Sequence, residues 1–197
     1  RAADVLDEAA KVTILAGAGA AGAHDELMAL AEALGAPIVH TMRGKEHVEF
    51  DNPYDVGMTG LLGFSSGYRA MESCDTLLIL GADFPYQQFY PDKATVIQVD
   101  VRGENIGRRT HVDVGLTGTV KDTAAALAAL VQRKENRSHL EASQKQMDEA
   151  RAKLEATRAE LQAARDDDAV LATQGNLNND IGLPLTLLQL GPEHRAA

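Results

Sequence analysis

Short apolar runs rich in β-branched residues alternate with helix-periodic segments over the first two thirds of the chain, and this alternation restricts the fold more than any other feature. Val12-Thr13-Ile14-Leu15-Ala16, Pro37-Ile38-Val39-His40-Thr41, Thr76-Leu77-Leu78-Ile79-Leu80, Thr95-Val96-Ile97-Gln98-Val99-Asp100 and Val112-Asp113-Val114-Gly115-Leu116 read as five strands, with Asp55-Val56-Gly57-Met58 as a short sixth. Runs such as Ile14-Leu15-Ala16 are apolar at consecutive positions, as strands covered on both faces require. Between the strands, Leu27, Leu30, Ala31 and Leu34 (helix 26–34) and Ala124, Leu127 and Leu130 or Val131 (helix 120–131) recur at helical spacing. Strand-helix-strand order demands right-handed crossovers. The predicted fold class is α/β, a doubly wound parallel sheet of about six strands, Rossmann-like, followed by a long C-terminal helix. Ligands in such sheets lie at the carboxyl ends of the strands, where Gly17, Gly44, Gly81 and Gly118 fall.

From about Arg133 the strand signal stops. Leu140, Met147, Leu154 and Leu161 recur every seven residues, and Ser143, Ala150, Thr157 and Ala164 follow each by three, a heptad with large a and small d residues. The chain therefore divides into a domain over 1–133, a long helix over 134–168 and a loosely ordered tail over 169–197. The helix packs on its own or a neighbouring domain; self-association into a homo-oligomer is the alternative. Asp166-Asp167-Asp168 opposes the helix dipole and marks its end. The opening Arg1-Ala2-Ala3-Asp4 carries no initiator Met and no secretory pattern, and reads as an interior point of a longer chain.

Charge narrows the partners. With 29 acids against 19 bases the net charge is -10, which repels nucleic acid, and the cluster Arg102, Arg108, Arg109 is too short to offset it. No apolar run approaches the ~20 residues of a membrane span. The single Cys74 forms no internal disulfide, which fits a cytoplasmic location.

Gly17-Ala18-Gly19-Ala20-Ala21-Gly22 has the dinucleotide fingerprint between a strand and a helix. Gly17 permits the turn, Gly19 admits a pyrophosphate, and amides of the first helical turn supply donors; a turn that merely joins strand to helix is the alternative. The acid expected after the second strand of an NAD site is missing, since His40-Thr41-Met42-Arg43 stands there. Arg43 and Lys45 keep an NADP-binding oxidoreductase open as a minor reading. Asp100, at a later strand end, either holds a ribose or caps the turn at Gly103.

The stretch His40 to Tyr68, with Thr41-Met42-Arg43-Gly44-Lys45-Glu46-His47 and Asn52-Pro53-Tyr54-Asp55-Val56-Gly57-Met58-Thr59-Gly60-Leu61-Leu62-Gly63-Phe64-Ser65-Ser66-Gly67, closely resembles the FAD-binding central domain of pyruvate oxidases and quinone-dependent pyruvate dehydrogenases. Gly81-Ala82-Asp83-Phe84-Pro85-Tyr86, Ile97-Gln98-Val99-Asp100 and Gly118-Thr119-Val120 extend the likeness over roughly 5–131. The resemblance implies an extended FAD, with its pyrophosphate near Gly17, Ala18 and Gly19 and its adenosine near Asp100, Val101, Thr119 and Val120. The flavin would pass Thr41, Met42 and Arg43, lie over Gly60, Leu61, Leu62 and Gly63, and sit beside Gly81, Ala82 and Asp83.

In that family a decarboxylated pyruvate adduct on thiamine diphosphate reduces the flavin, which passes electrons to quinone or oxygen. Thiamine diphosphate and magnesium are held through a Gly-Asp-Gly followed by Asn-Asn, and an N-terminal domain supplies the activating glutamate. Asn178-Asn179 has no upstream Gly-Asp-Gly here. Those cofactors are therefore expected only in a full-length parent, in contact with its other domains, and this chain alone is expected to be inactive. The resemblance places the parent in the cytoplasm or peripherally at the membrane. A cofactor-free scaffold domain of a related enzyme is the alternative from another class.

Other constellations carry little. His24-Asp25-Glu26, His47 with Glu46 and Glu49, and His111 with Asp113 lack paired metal-ligand spacing, and Ser65-Ser66 lies in no nucleophile elbow.

Overall fold

Every residue of β1 (Val12–Ala16) and β4 (Thr76–Leu80) is buried, so these two strands lie at the centre of the sheet. The computed structural model describes residues 1–166, with side chains to 163. Parallel pairing extends outward through β2 (Ile38–His40) and β3 (Asp55–Met58) on one side, and through β5 (Thr95–Asp100) and β6 (Val114–Thr117) on the other. The order β3-β2-β1-β4-β5-β6 is doubly wound, with its switch point between β1 and β4. The six segments coincide with the sequence reading to within two residues at each end.

Alternation along the strands divides the core. Ile14, Leu78, Leu80, Ile97 and Val99 face α2 (His24–Leu34) and α5 (Val120–Leu130), packing on Leu27, Leu30, Leu34, Ala124 and Leu127. Leu15, Val39, Leu77, Ile79 and Val96 face the opposite side and bury Ala70 and Met71 of α4 (Ser65–Glu72). Gly35, at φ 56, ends α2 with its N–H on the Ala31 and Glu32 carbonyls. Thr119 starts α5 by accepting from the Asp122 N–H at 3.1 Å. The short helices α1 (Ala2–Glu8) and α3 (Lys45–Val48), together with α4, were not anticipated from periodicity.

The long helix α6 (Ser138–Asp166) begins as part of this core. Leu140, Ser143 and Met147 are buried, so the first heptad positions pack on the domain itself. Gly57, at φ 96, makes room, since a Cβ there would lie 3.3 Å from Met147 Cε. Beyond that point the helix surface opens to solvent, with Leu154 and Leu161 half-buried. The tail over 169–197, and the stop expected at Asp167-Asp168, lie outside the described residues. No helix among the described residues is long and apolar enough to cross a membrane.

The linker before α6 is tied down by polar groups. Glu32 accepts from the Tyr54 hydroxyl at 2.6 Å and from Arg137 at 3.0 Å, and also pairs with Arg133. These partners hold its carboxyl below the usual range, the Tyr54 bond foremost. Lys134 Nζ donates to the Asp7 and Ala9 carbonyls at 3.0 and 2.7 Å, covering the end of α1.

Two substitutions test this division of the chain. Leu78→Ala, in the central strand, is expected to lower unfolding free energy by about 2–5 kcal/mol. Leu154→Ala, on the open part of α6, should change it by under about 1 kcal/mol. Urea denaturation of the two variants measures both.

Candidate functional site

Because all six strands run the same way, the loops after them gather along one edge of the sheet, and between those after β1 and β4 they diverge. A cavity of about 330 Å³ lies there, at the lower end of small-molecule sites. Its walls are Ala18 after β1, Thr41 to Arg43 after β2, Met58 to Leu62 at the end of β3, Gly81 to Tyr86 after β4, and Asp100 at the end of β5. Eleven of the seventeen residues singled out from the sequence meet in it: Ala18, Thr41, Met42, Arg43, Gly60, Leu61, Leu62, Gly81, Ala82, Asp83 and Asp100.

The glycine run is built differently from expectation. The Gly17 and Gly19 amides donate to the Leu80 and Gly81 carbonyls, both at 3.0 Å. A Cβ on Gly17 would lie 2.5 Å from the Gly81 oxygen, and one on Gly19 would lie 2.7 Å from Gly81 Cα. Both glycines thus serve close packing of the β1 loop on the β4 loop, and a 3-10 turn over Ala18–Ala20, with Gly19 at its centre, precedes α2.

The other predicted residues hold the walls in shape. Thr41 donates its N–H to the Ala16 carbonyl at 3.0 Å, while its hydroxyl accepts from the Gly44 N–H at 3.2 Å, closing the turn that carries Met42 and Arg43. Gly60, at φ 104, starts the turn that presents Leu61 and Leu62, and Gly63 donates to its carbonyl at 2.9 Å. Gly63 itself packs behind the wall, a Cβ there lying 2.3 Å from the Met58 oxygen. Asp100 Oδ1 accepts from the Arg102 N–H at 2.9 Å and from Asn105 at 3.1 Å, so it caps the following turn while bordering the cavity. Val101 is exposed and Val120 is buried beneath Gly81. With the helix cap Thr119, these two lie outside the cavity.

Met58, Thr59, Phe84, Pro85 and Tyr86 complete the lining; Thr59, Phe84, Pro85 and Tyr86 were not picked out as site residues. Phe84 meets Tyr86 edge-on at 5.4 Å, and the Tyr90 hydroxyl donates to the Phe84 carbonyl at 2.9 Å. Burial pushes that hydroxyl well above its ordinary pKa. The Pro85-aromatic run directly after Gly81-Ala82-Asp83 was the signal for this wall.

The unpaired groups set the chemistry. Met42, Leu61, Leu62 and Tyr86 stand 58, 61, 45 and 38% exposed around the opening. Thr59 Oγ1 is buried with no hydrogen-bond partner, and Arg43 forms no ion pair, among the described residues. An apolar rim and one rim cation suit a flat apolar ring that carries an anionic group. Among the described residues no group of three or more His, Cys, Asp or Glu is placed to hold a metal ion.

Asp83 shows how this edge is braced. It accepts from Arg109 at 2.7 and 3.2 Å and also pairs with Arg108, and these bonds, Arg109's first, hold its carboxyl below the usual range. A depressed folded pKa means stability that is present above the ordinary carboxylate range and lost only as pH falls through the lowered value. Carbon-13 NMR of the Asp83 carboxyl should therefore show it ionised at pH 4. Asp83→Asn should speed amide exchange over 83–90.

Residues 1–127 match the family described as thiamine pyrophosphate enzyme, central domain. An uncharacterized 42.6 kDa protein from Pseudomonas amyloderamosa is 60% identical over 140 residues, 71% of this chain and 35% of that protein. The putative thiamine pyrophosphate-containing protein YdaP of Bacillus subtilis is 39% identical over 148 residues, 74% of this chain and 25% of that one. A probable acetolactate synthase large subunit of Methanocaldococcus jannaschii is 32% identical over 141 residues, 66% and 24% of the two chains. The chain thus spans about a quarter to a third of the length of these curated relatives. With the match running from the first residue through most of α5, on a doubly wound sheet with its cavity at the switch point, the chain belongs to the family of thiamine pyrophosphate enzyme central domains.

Proposed function

We propose that this domain carries FAD for a thiamine diphosphate enzyme, with the flavin ring seated between Met42, Leu61, Leu62 and Tyr86. The observation that supports this most is the open apolar rim around a cavity with an unpartnered hydroxyl in its wall. Leaving apolar surface in water is unfavourable by roughly 25 cal/mol per Å², and a flat ring laid over these side chains removes that penalty. Arg43 stands on the rim where a phosphate would pass. When bound, the flavin supplies an acceptor for an electron pair.

The likeness of residues 40–68 supports a pyruvate oxidase or quinone-dependent pyruvate dehydrogenase as the parent, with quinone or oxygen taking the electrons. Thiamine diphosphate and magnesium would be held by its other domains. The acetolactate synthase among the relatives favours a second reading, a parent in which this domain holds the cofactor, or serves as a scaffold, without passing electrons.

Flavin fluorescence decides the first point. FAD titrated into the 197-residue chain should show saturable quenching, and Leu61→Asp should weaken binding by at least about tenfold, ~1.4 kcal/mol. Absence of saturation by about 1 mM, roughly -4 kcal/mol, would leave the scaffold reading. For the second point, pyruvate-dependent dye reduction by the full-length parent supports oxidation, whereas acetolactate formation without it supports the alternative.

A further inference from the structure

The edge strand β3 and the fourth turn of α6 flank a buried polar line that ends at the cavity wall. His40, at the end of β2, is 1% exposed, and the Asp55 side chain, at the start of β3, is 4% exposed. His40 Nε2 lies 3.4 Å from Asp55 Oδ1. Asp55 Oδ2 accepts no hydrogen bond among the described residues, and faces Arg151 Nη2 of α6 at 3.7 Å. On the other side of the ring, His40 Nδ1 lies 3.3 Å from the carbonyl oxygen of Thr41, the first residue of the cavity wall after β2. The ligand seat uses none of these side chains.

Proton counting shows what the arrangement does. A carbonyl and a carboxylate are both acceptors, and a neutral imidazole carries one N–H. Each neutral tautomer of His40 therefore satisfies one neighbour and sets a lone pair against the other; only the imidazolium donates to both. The charged acceptor is the stronger one, so the neutral ring keeps its proton on Nε2, towards Asp55, and leaves the Thr41 carbonyl. Burial holds His40 below its ordinary pKa, partly offset by Asp55, and burial pushes Asp55 up, partly offset by His40. The other charges facing the pair are Glu49, 3.8 Å from Nε2, Lys45 on α3, and on α6 Asp148, which borders the same small pocket as Asp55 and Arg151.

We propose that Arg151, Asp55 and His40 form a relay by which α6 positions the Thr41–Arg43 wall of the cavity, closed when His40 is doubly protonated and broken at the Thr41 carbonyl when it is neutral. Arg151 acts in it as a positioning residue. Its charge favours the Asp55 carboxylate and disfavours a second proton on His40, so a docked α6 biases the wall towards its released form. The relay stands independently of which ligand fills the cavity.

Nitrogen-15 NMR of the histidine rings in the whole 197-residue chain tests it without any ligand. The neutral His40 should carry its proton on Nε2, and the Met42 to Gly44 amide signals should follow the His40 titration with the same midpoint. Arg151→Gln should raise that midpoint by about half a unit. In an Asp55→Asn background the same change should move it by less than about 0.1 unit, because the intermediary is gone. His139, whose Nε2 lies 2.8 Å from Thr13 Oγ1, gives a separately assigned ring. A neutral ring protonated on Nδ1, wall amides that ignore the His40 midpoint, or a midpoint that Arg151→Gln leaves in place would each overturn the relay. Should Asp55→Asn not fold, the half-exposed Arg151→Gln decides alone.

Discussion

Two backbone turns approach across the switch point, and the site depends on how near they come. The turn at Gly17 and Gly19 lies so close to Gly81 that a methyl group on any of the three would overlap neighbouring backbone, at 2.5 to 2.7 Å. Gly81 also sits at φ 59, where an L side chain costs about 1–2 kcal/mol. Two hydrogen bonds, Gly17 to Leu80 and Gly19 to Gly81, lock the approach. With β1 and β4 held together at their ends, the loops above must separate, one group towards β2 and β3, the other towards β5 and β6. The cavity is the space left by that separation, so its floor is backbone and its rim is side chain.

That division explains which parts of the molecule were legible in the sequence. Strands such as 76–80 announce themselves because burial on both faces demands consecutive apolar residues, and α2 and α5 because apolar residues recur on their inward faces at helical spacing. Helix α4 escaped because it buries Ser66, Gly67 and Ala70 beside Met71, and small residues leave no periodic hydrophobic trace. A Cβ on Gly67 would lie 3.0 Å from the Met58 oxygen, so close packing on the β3 loop selects a residue that propensity counts against a helix. The glycine run was legible as a close approach but not as to what approaches. A fingerprint specifies room for a neighbouring backbone or a pyrophosphate equally well, and here the neighbour is Gly81. For Asp100 the turn-capping role left open by the sequence is realised, while the carboxylate still borders the cavity.

The heptad shows the same ambiguity at longer range. A seven-residue repeat specifies a helix with one apolar stripe and leaves open what covers it. Leu140 and Met147 are covered by α4 and β3 because Gly57 and Ser66 yield the space, the Ser66 hydroxyl donating to the Val56 carbonyl at 2.8 Å and facing Met147 Sδ at 3.4 Å. The docking angle is set by polar groups no periodicity reveals. Glu32 gathers Tyr54, Arg133 and Arg137 from separate parts of the chain, and such a network orients the linker more than it stabilises it, since exposed ion pairs contribute little.

Electrostatics and apolar contact therefore have different tasks at the cavity. The net charge of -10 disfavours an anionic ligand at long range. Of the three arginines near the β5 end, Arg108 and Arg109 are engaged by Asp83, which turns local positive charge into a brace between the loops after β4 and β5. Arg43, which lines the cavity, forms no ion pair among the described residues and is left for a phosphate of the proposed ligand. Ion pairs in solvent contribute at most about 1 kcal/mol, whereas covering one large apolar side chain contributes about 1.5–3. Four such side chains surround the opening, so affinity must come mainly from the rim. For the proposed ligand, charge would decide which end points which way, while the brace at Asp83 holds the loops after β4 and β5 together.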